Sequence, residues 1–300
     1  MLKDFISFLD YSASELTELL NRADVLADAW ANNRMPQSLK NRQVALWFFG
    51  NGFRNRVAFE IGARAMGASA SYIPGDLGVH EPLEDIGHYL DGWFDLIVVR
   101  AQSHRDLQYL SENTTASVVN ARTDLNHPCE ILGDLQFIRQ QRGSLEGLRV
   151  TFVGEVTNLC MRWFEAAVKL PIAVTQAAPA GYLIDQCRLQ SLNENAAGSI
   201  SVNDELDGLL EKTDLLYTDC WPKPGDKNNI QGQFLPYQIT GDRLSRLHQN
   251  AIFLPCPPVT RGQEVSSEAM DSAFCMNYQA KKYLLHAQNA IMEMLANHIK

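Results

Sequence analysis

The sequence predicts an α/β protein built from two doubly wound parallel-sheet domains. Short apolar runs typical of buried strands alternate with stretches of helical periodicity along nearly the whole chain. A polar segment at 140–144 interrupts this alternation once, and it leaves ~140 residues on each side, a common domain size. We therefore predict domains at 1–142 and 143–300, joined by a long helix, with a C-terminal helix that packs back on the N-terminal domain.

The first half begins with a helix. Ser12 and Glu15 form a capping box in front of an apolar stripe that starts at Leu16, which predicts a helix from about that point. The predicted strands that follow are 44–49, 70–73, 96–99 and 117–120. The predicted helices between and after them lie near 54–67, 82–91, 104–112 and 128–141. Because every strand is followed by a helix, right-handed crossovers and a parallel sheet are expected.

The second half repeats this organisation. Its predicted strands are 149–153, 172–175, 199–202, 215–218 and 252–254. Its predicted helices lie near 158–169, 182–192, 204–211 and 241–248, and a last amphipathic helix covers about 279–298. Since ligands of parallel sheets bind at the carboxyl ends of the strands, the loops after the strands are where a site is expected.

Composition excludes several classes of function. The chain is 46% hydrophobic and 20% charged, as is usual for a soluble globular protein, and its net charge of −9 disfavours a nucleic-acid or anionic-membrane partner. No apolar run approaches the ~20 residues of a membrane span, and a signal peptide is not expected. The six cysteines lack Cys-x-x-Cys spacing, which predicts reduced thiols in the cytoplasm instead of a disulfide framework or a zinc site.

The segment 48–60 has the strongest signature of a binding site. Gly50 and Gly52 permit a tight turn between a strand and a helix, and Arg54 and Arg56 lie at the mouth of that turn. A helix N-terminus offers unpaired N–H groups and the positive end of the helix dipole, and guanidinium groups add charge. The segment therefore predicts a site for a phosphate or a carboxylate.

Three other loops after strands are also unusual. Arg100 ends a strand and is followed closely by Ser103 and His104, and the segments 126–130 and 254–258 contain His-Pro and Cys-Pro-Pro. Each has a common structural explanation: a surface ion pair, a proline that starts a helix, or a rigid loop. Their occurrence together at four strand ends favours a shared site.

These loops make the chain resemble the aspartate/ornithine transcarbamoylase family, and the resemblance extends over essentially the whole chain. The Ser-x-Arg-Thr-Arg turn of that family aligns with residues 52–56, followed by a family-like Phe59 and Glu60. Arg100 ends the third strand, as an arginine does in the family. The His-Pro-x-Gln motif that opens the inter-domain helix aligns with 127–130.

The second half is similar to the ornithine branch. Val-Gly-Asp-x-x-Asn of that branch aligns with 153–158, and Asp-x-Trp-x-Ser-Met-Gly aligns in part with 219–225. Its His-Cys-Leu-Pro loop aligns with 255–258, and the run 259–265 is also similar to that branch.

The resemblance implies a carbamoyl phosphate domain at the N-terminus, an amino-acid domain at the C-terminus, and a homotrimer with sites between subunits. In the family an acceptor amine attacks the carbamoyl carbon and phosphate leaves, without a metal or an organic cofactor. The expected partners are thus carbamoyl phosphate or a related small anion and an amino-acid-like acceptor. Such a site needs cations for the phosphate and donors where charge develops on the carbonyl oxygen.

The alignment also assigns roles to residues of this chain. Arg54 would bind phosphate, Arg100 and His127 would polarise the carbonyl, and residue 130 would bind the carbamoyl NH₂. The implied catalytic residues are Arg54, Arg100, His127 and Cys256. The implied carbamoyl phosphate-binding residues are Gly52, Phe53, Arg54, Asn55, Arg100, His127, Glu130, Cys256 and Pro257. The implied acceptor-binding residues are Asn158, Asp219, Lys223 and Arg162.

The departures from the family pattern lie at the site. Serine, threonine, glutamine and leucine of the motifs are replaced here by Gly52, Asn55, Glu130 and Pro257. Further changes are Asp76 and His80 in the loop after the second strand, Lys223-Pro-Gly in place of Ser-Met-Gly, and the segment 280–283. Each lost hydroxyl contact to an anion would cost roughly 1.5–3 kcal/mol if nothing replaced it.

Three hypotheses follow. The first is a carbamoyltransferase with a non-standard amino-acid acceptor, in which Arg162 and Lys223 bind an additional anionic group; the alternative for these two is a solvated surface charge. The second is a divergent transferase or lyase in which Glu130 performs acid–base chemistry on another ligand. The third is a non-catalytic protein that keeps only the fold and the trimer.

Overall fold

The computed structural model describes residues 2–222 and 230–297, which belong to two compact units. The first unit comprises the chain up to Gln141 together with the residues from Lys281 onward, and the second unit comprises Arg142–Ala280. The C-terminal segment therefore belongs in space to the unit from which it is most distant in sequence.

The first unit is a parallel sheet with helices. Its strands are β1 Gln43–Phe48, β2 Ser69–Pro74, β3 Leu96–Arg100 and β4 Ser117–Arg122, in the order β2-β1-β3-β4. Its helices up to the domain junction are α1 Ala13–Ala31, α2 Phe53–Ala65, α3 Leu83–Asp91, α4 His104–Glu112 and α5 Pro128–Arg142. Every strand pair is parallel, as the alternation predicts.

Position in the sheet explains the burial of each strand. Val44 of β1 pairs with Ala70 on one side and Leu96 on the other, and five of the six residues of β1 are buried. The edge strand β2 has no fully buried residue. The opposite edge, β4, is covered in part by the segment before α1, where the N–H of Phe5 donates to the carbonyl of Val118 at 2.8 Å. That pairing was not predicted from the sequence.

The second unit is also a parallel sheet. Its strands are β5 Arg149–Val153, β6 Ala173–Ala177, β7 Ser199–Asn203, β8 Leu215–Thr218 and β9 Ile252–Pro255, in the order β7-β6-β5-β8-β9. Its helices are α6 Asn158–Lys169, α7 Gln186–Asn193, α8 Ile230–Phe234, α9 Gly241–Ser245, α10 Ser267–Met270 and α11 Asn277–Ala280. The prediction of two parallel-sheet α/β domains is confirmed.

Some predicted helices of the second unit were wrong. Residues 204–211 do not form a helix; a single 3₁₀ turn at Leu210–Lys212 replaces its end. The side chain of Asn203 accepts from the N–H of Glu205 at 2.9 Å, and such a local bond competes with helix formation. The helix predicted at 182–192 begins only at Gln186, and the one predicted at 241–248 ends at Ser245.

The predicted last helix is interrupted. It is divided into α11 and α12 Tyr283–Ala296 by a turn at Lys281 and Lys282. The prediction that the C-terminal helix packs on the N-terminal domain is confirmed, since α12 packs against α1 and α2. The backbone of α12 also approaches α5 closely, because a Cβ on Gly133 would lie 3.1 Å from Leu284 Cα.

Within residues 2–222 and 230–297, no helix has both the length and the apolar character needed to cross a membrane.

Candidate functional site

The segment between β1 and α2 is a tight turn from a strand to a helix, as its two glycines predict. Gly50 adopts a φ of +63°, which favours glycine, and Gly52 lies at the N-cap position directly before the first residue of α2, Phe53. The first N–H groups of a helix have no partner within it. They are therefore available to an anion at this end of α2.

Arg100 occupies the space beside Gly52. A Cβ on Gly52 would lie 2.6 Å from Cδ of Arg100, so the arginine lies where a larger residue would place its side chain. The Nε of Arg100 donates to the carbonyl oxygen of Phe49 at 3.2 Å. Burial lowers the pKa of Arg100 to about 10, with a smaller contribution from the neighbouring charge of Arg122, and the guanidinium stays protonated at neutral pH.

The two arginines predicted at the mouth of the turn differ in their surroundings. The guanidinium of Arg54 lies 5.0 Å from the ring centroid of Phe53, and no carboxylate in the described part of the chain is within ion-pair distance of it. Arg56 pairs with Glu60 at 3.2 Å and lies over the ring of Tyr72 at 4.5 Å. Arg54 is thus the arginine available to a ligand, whereas Arg56 has a structural role.

A cavity of about 450 Å³ opens beside Arg54. Lys281 and Lys282 also line it, and its apolar wall includes Trp30 and Ile61. Lys281 pairs with Glu130 and Asp134, whereas Arg54 and Lys282 have no carboxylate partner among the described residues. These two cations favour an anionic ligand.

Glu130 lies at the centre of a buried polar cluster in the first unit. Its Oε1 is 2.7 Å from Nζ of Lys281, and its Oε2 accepts from Nδ2 of Asn55 at 3.3 Å and lies 3.9 Å from Nε2 of His127. Burial by itself would raise the pKa of Glu130. The charge of Lys281 and the hydrogen bonds from Lys281 and Asn55 outweigh burial, so the net pKa is lowered and the carboxylate is ionised.

The cluster extends along α5 to Asp134 and across to Gln288 of α12. Nζ of Lys281 also donates to both carboxylate oxygens of Asp134, at 2.8 and 3.0 Å. Oδ1 of Asn55 accepts from Nε2 of Gln288 at 2.8 Å. Sequence reasoning missed Lys281 as a site residue. The signal that could have found it was Glu130, since a buried acid needs a counter-ion.

His127 is uncharged at neutral pH. It is buried, and burial lowers its pKa to about 3 despite the opposing charge of Glu130. Its Nδ1 has no hydrogen-bond partner among the described residues. A neutral imidazole can donate one hydrogen bond, but it is not a general acid at this pH.

In the second unit, three of the predicted acceptor-site loops lie side by side. Asn158, Asp219 and Cys256 follow β5, β8 and β9, which are neighbours in the sheet. Asp219 accepts from the N–H of Cys220 at 2.8 Å, and the N–H of Cys256 donates to Thr218 at 2.8 Å. The carboxyl ends of these strands therefore bring the three residues to one edge of the sheet.

The other predicted residues of this unit are placed less uniformly. Pro257 follows Cys256 in the same loop, and its carbonyl oxygen lies 3.8 Å from Sγ of Cys256. Arg162 is buried on α6, where it pairs with Glu165, so the alternative of a solvated surface charge is wrong for this residue. Lys223 lies outside the described residues.

Asp76 and His80 lie apart from the Glu130 cluster, in the loop after β2. They line a second cavity, of about 620 Å³, together with Trp47 and Trp93. Asp76 is already engaged, because its carboxylate accepts from the N–H and the side-chain amide of Gln102 at 3.1 and 2.8 Å.

Two family models match the chain and together cover nearly all of it. Residues 3–140 match the aspartate/ornithine carbamoyltransferase carbamoyl-P binding domain, and residues 146–295 match the Asp/Orn binding domain of the same family.

Individual proteins agree with these matches. The ornithine carbamoyltransferase of Chlorobaculum tepidum is 31% identical over 99% of this chain and 90% of its own length, and that of Nitrosococcus oceani is 32% identical over 97% and 96%. Among solved structures, ornithine carbamoyltransferase from Pyrococcus furiosus superposes with a TM-score of 0.91 at 26% identity, covering 99% of this chain and 98% of the other. The enzyme from Burkholderia thailandensis gives 0.90 at 26%, with complete coverage of both.

Proposed function

Because the chain belongs to the aspartate/ornithine carbamoyltransferase family, a family of transferases, we propose that it moves a carbamoyl group from carbamoyl phosphate to the amine of a non-standard amino acid. The observation that carries the donor half of this proposal is the position of Arg54. It lies in the first turn of α2, borders a cavity that Lys282 also lines, and has no carboxylate partner in the described residues. These properties are typical of an arginine that binds phosphate.

The proposed reaction depends on charges and hydrogen-bond donors that are already in position before the substrate binds. Arg54 and the first N–H groups of α2 bind the phosphate, while Arg100 and the neutral His127 donate to the carbonyl oxygen as negative charge develops on it. The uncharged acceptor amine attacks the carbamoyl carbon, a C–N bond forms, the C–O bond to phosphate breaks, and phosphate takes the electron pair. The amine proton leaves with the phosphate or with solvent.

The acceptor half rests on the second unit. Asn158 and Asp219 bind the amino acid in this proposal, and Cys256 with the carbonyl of Pro257 borders its amine. The sequence Lys223-Pro-Gly, where the ornithine branch has Ser-Met-Gly, supports an acceptor other than ornithine. Arg162 contributes less than the sequence suggested, since its guanidinium already pairs with Glu165.

The proposal includes a homotrimer in the cytoplasm, with carbamoyl phosphate and an amino acid as its small-molecule partners. Acid–base chemistry by Glu130, the alternative reaction, is disfavoured, because a carboxylate with a lowered pKa and a close ammonium partner is a weak base and holds no proton to donate.

Thermal unfolding with millimolar carbamoyl phosphate tests the donor. Binding at a hundred times Kd stabilises by about 2.7 kcal/mol, so a rise of several degrees in Tm is expected for the unaltered protein. Arg54→Met should abolish the rise. Arg64→Met, on the exposed side of the same helix, is the matched control and should retain it. A Tm that does not respond to the ligand would refute carbamoyl phosphate as the donor.

A panel of amines, with ornithine included, tests the acceptor by formation of a ureido product. A product from another amine, and little from ornithine, is expected. If carbamoyl phosphate binds but no amine in a broad panel yields a product, the non-catalytic hypothesis is the better one.

A further inference from the structure

Three departures from the family pattern meet at one place in the first unit. Asn55, Glu130 and Lys281 come from α2, α5 and the turn before α12, and the side chains of Asn55 and Lys281 both contact Glu130. Only 5% of Asn55 and 6% of Glu130 are exposed, and 13% of the Lys281 side chain. Changes that are separate in the sequence therefore form one buried ionic cluster.

The charges around Glu130 are unevenly distributed. Among the described residues, Lys281 is the only ammonium in contact with Glu130, and it also pairs with Asp134 on α5, the helix of Glu130. His127 faces Glu130 but is uncharged at neutral pH. Arg100, at the end of β3, interacts electrostatically with Glu130, but no ion pair joins the two among the described residues. Asn55 and the thiol of Cys129 are the neutral neighbours. Without Lys281, the cluster would hold two buried carboxylates and no ammonium.

We propose that Lys281 is the buried counter-ion of Glu130, and that this ion pair, in place of a neutral amide, is the group that binds the NH₂ of the carbamoyl donor. This inference rests on the proposed function. Lys281 is a positioning residue, since it acts on the donor through Glu130. Glu130 accepts hydrogen bonds from the donor NH₂, and Asn55 orients the carboxylate from the other side.

The ion pair predicts which acyl phosphates the site binds. An ionised carboxylate accepts hydrogen bonds and donates none, so it suits a group with N–H donors at that position. Acetyl phosphate has a methyl group there and would leave the buried carboxylate without its partner. A site built for a hydrogen bond rejects an analogue that lacks the bond. We expect carbamoyl phosphate to bind at least about tenfold more tightly than acetyl phosphate.

The first test needs no ligand. Lys281→Met leaves Glu130 buried without a counter-ion, so its pKa in the folded protein should rise above that in the unfolded chain. The folded state then binds more protons, and stability should be highest at acidic pH and fall as pH rises from about 5 to 8. Thermal unfolding across this range, compared with exposed Lys282→Met, should show the extra decrease only for Lys281→Met.

The double variant Glu130→Gln/Lys281→Met should show a smaller pH dependence than Lys281→Met, because only buried Asp134 then lacks its ammonium partner. Equal pH dependence in Lys281→Met and Lys282→Met, or a dependence as large in the double variant as in Lys281→Met, would overturn the proposal. If Lys281→Met does not fold, Glu130→Met, which removes the acceptor and leaves Lys281 paired with Asp134, is measured instead. It should reduce the preference for carbamoyl phosphate over acetyl phosphate, and an unchanged preference would be the contrary result.

The proposed function and the proposed role of Lys281 can be refuted independently. If carbamoyl phosphate raises the Tm of the unaltered protein while the Lys281 variants behave as their controls, the proposed function stands and the role of Lys281 is wrong. If carbamoyl phosphate does not bind but the pH dependence is as described, the ion pair stands and the donor is wrong.

Discussion

Gly52 and Arg100 depend on each other, because the arginine side chain lies where a side chain at position 52 would be. Gly52→Ser restores the hydroxyl of the family motif, yet it should weaken binding of carbamoyl phosphate. The new Cβ displaces Arg100 and breaks its bond to Phe49, which contributes about 1 kcal/mol, or roughly fivefold in affinity. Titration calorimetry measures the change, with Gly208→Ala in open space as the control. Tighter binding by the serine variant would contradict this placement of Arg100.

His127 should make the protein sensitive to acid. Its pKa is about 3 in the folded protein and ~6.5 in an unfolded chain, so between these values the unfolded state binds a proton that the folded state excludes. Stability is therefore unaffected above ~6.5 and is lost as pH falls below it, by about 2 kcal/mol at pH 5. Denaturant unfolding at pH 7 and pH 5 should show a smaller loss for His127→Gln. The same change at exposed His88 should leave the loss as it is.

At the scale of residues, the sequence predicts which side chains lie together at the ends of neighbouring strands. Arg54 and His127 follow β1 and β4, and Arg100 ends β3, which lies between these two strands in the sheet, as expected for a shared site. The contact between Lys281 and Glu130 could not be predicted, because it joins side chains 151 positions apart, at 281 and 130, through a turn inside a predicted helix. Such a contact depends on tertiary packing, which local pattern does not encode.

At the scale of elements, α2 and α12 pack closely because Gly62 has no side chain. A Cβ there would overlap Oδ1 of Asn289 and lie 2.9 Å from its Cγ. Alanine in a helix interior usually stabilises by up to about 1 kcal/mol relative to glycine, but here overpacking should destabilise by about 1–3 kcal/mol. Denaturant unfolding of Gly62→Ala measures this, and Gly62→Ala/Asn289→Ala should recover most of the loss. A Gly62→Ala protein as stable as the parent would show that α12 can move away.

The predicted elements agree with the structure where the hydrophobic periodicity is strong. They disagree with it where local side-chain hydrogen bonds or turns determine the backbone conformation. The strands β5 and β8 and the helix α6 have the bounds that the sequence predicts, because apolar runs with clear ends define them. The failures are 204–211, where an asparagine side chain caps a turn, and 279–298, where the helix breaks at Lys281. At 204–211 a local side-chain hydrogen bond outweighs helix propensity.

At the scale of the whole molecule, α2 presents an apolar stripe to solvent. Phe53, Val57 and Ile61 are 53%, 37% and 44% exposed and repeat every fourth residue, which places them on one face of the helix. The edge strand β2 adds Tyr72, which is 47% exposed. An exposed apolar stripe beside an open sheet edge is typical of a protein–protein interface. The three residues of the stripe also line the cavity beside Arg54. In the proposed homotrimer, a second copy of the chain covers the stripe, so the donor site borders the contact between subunits.

Glutamates in that stripe should therefore dissociate the assembly without unfolding the chain. Val57→Glu/Ile61→Glu places two charges where apolar contact is expected, and each buried unpaired charge costs several kcal/mol in the assembly but little on a solvated surface. Light scattering should give a mass three times 33.6 kDa for the unaltered protein and about that of one chain for the variant. Val25→Glu, 54% exposed on α1, should leave the mass at the threefold value. An undiminished mass in the double variant would place the interface elsewhere, since a stripe that tolerates two charges is not buried between subunits.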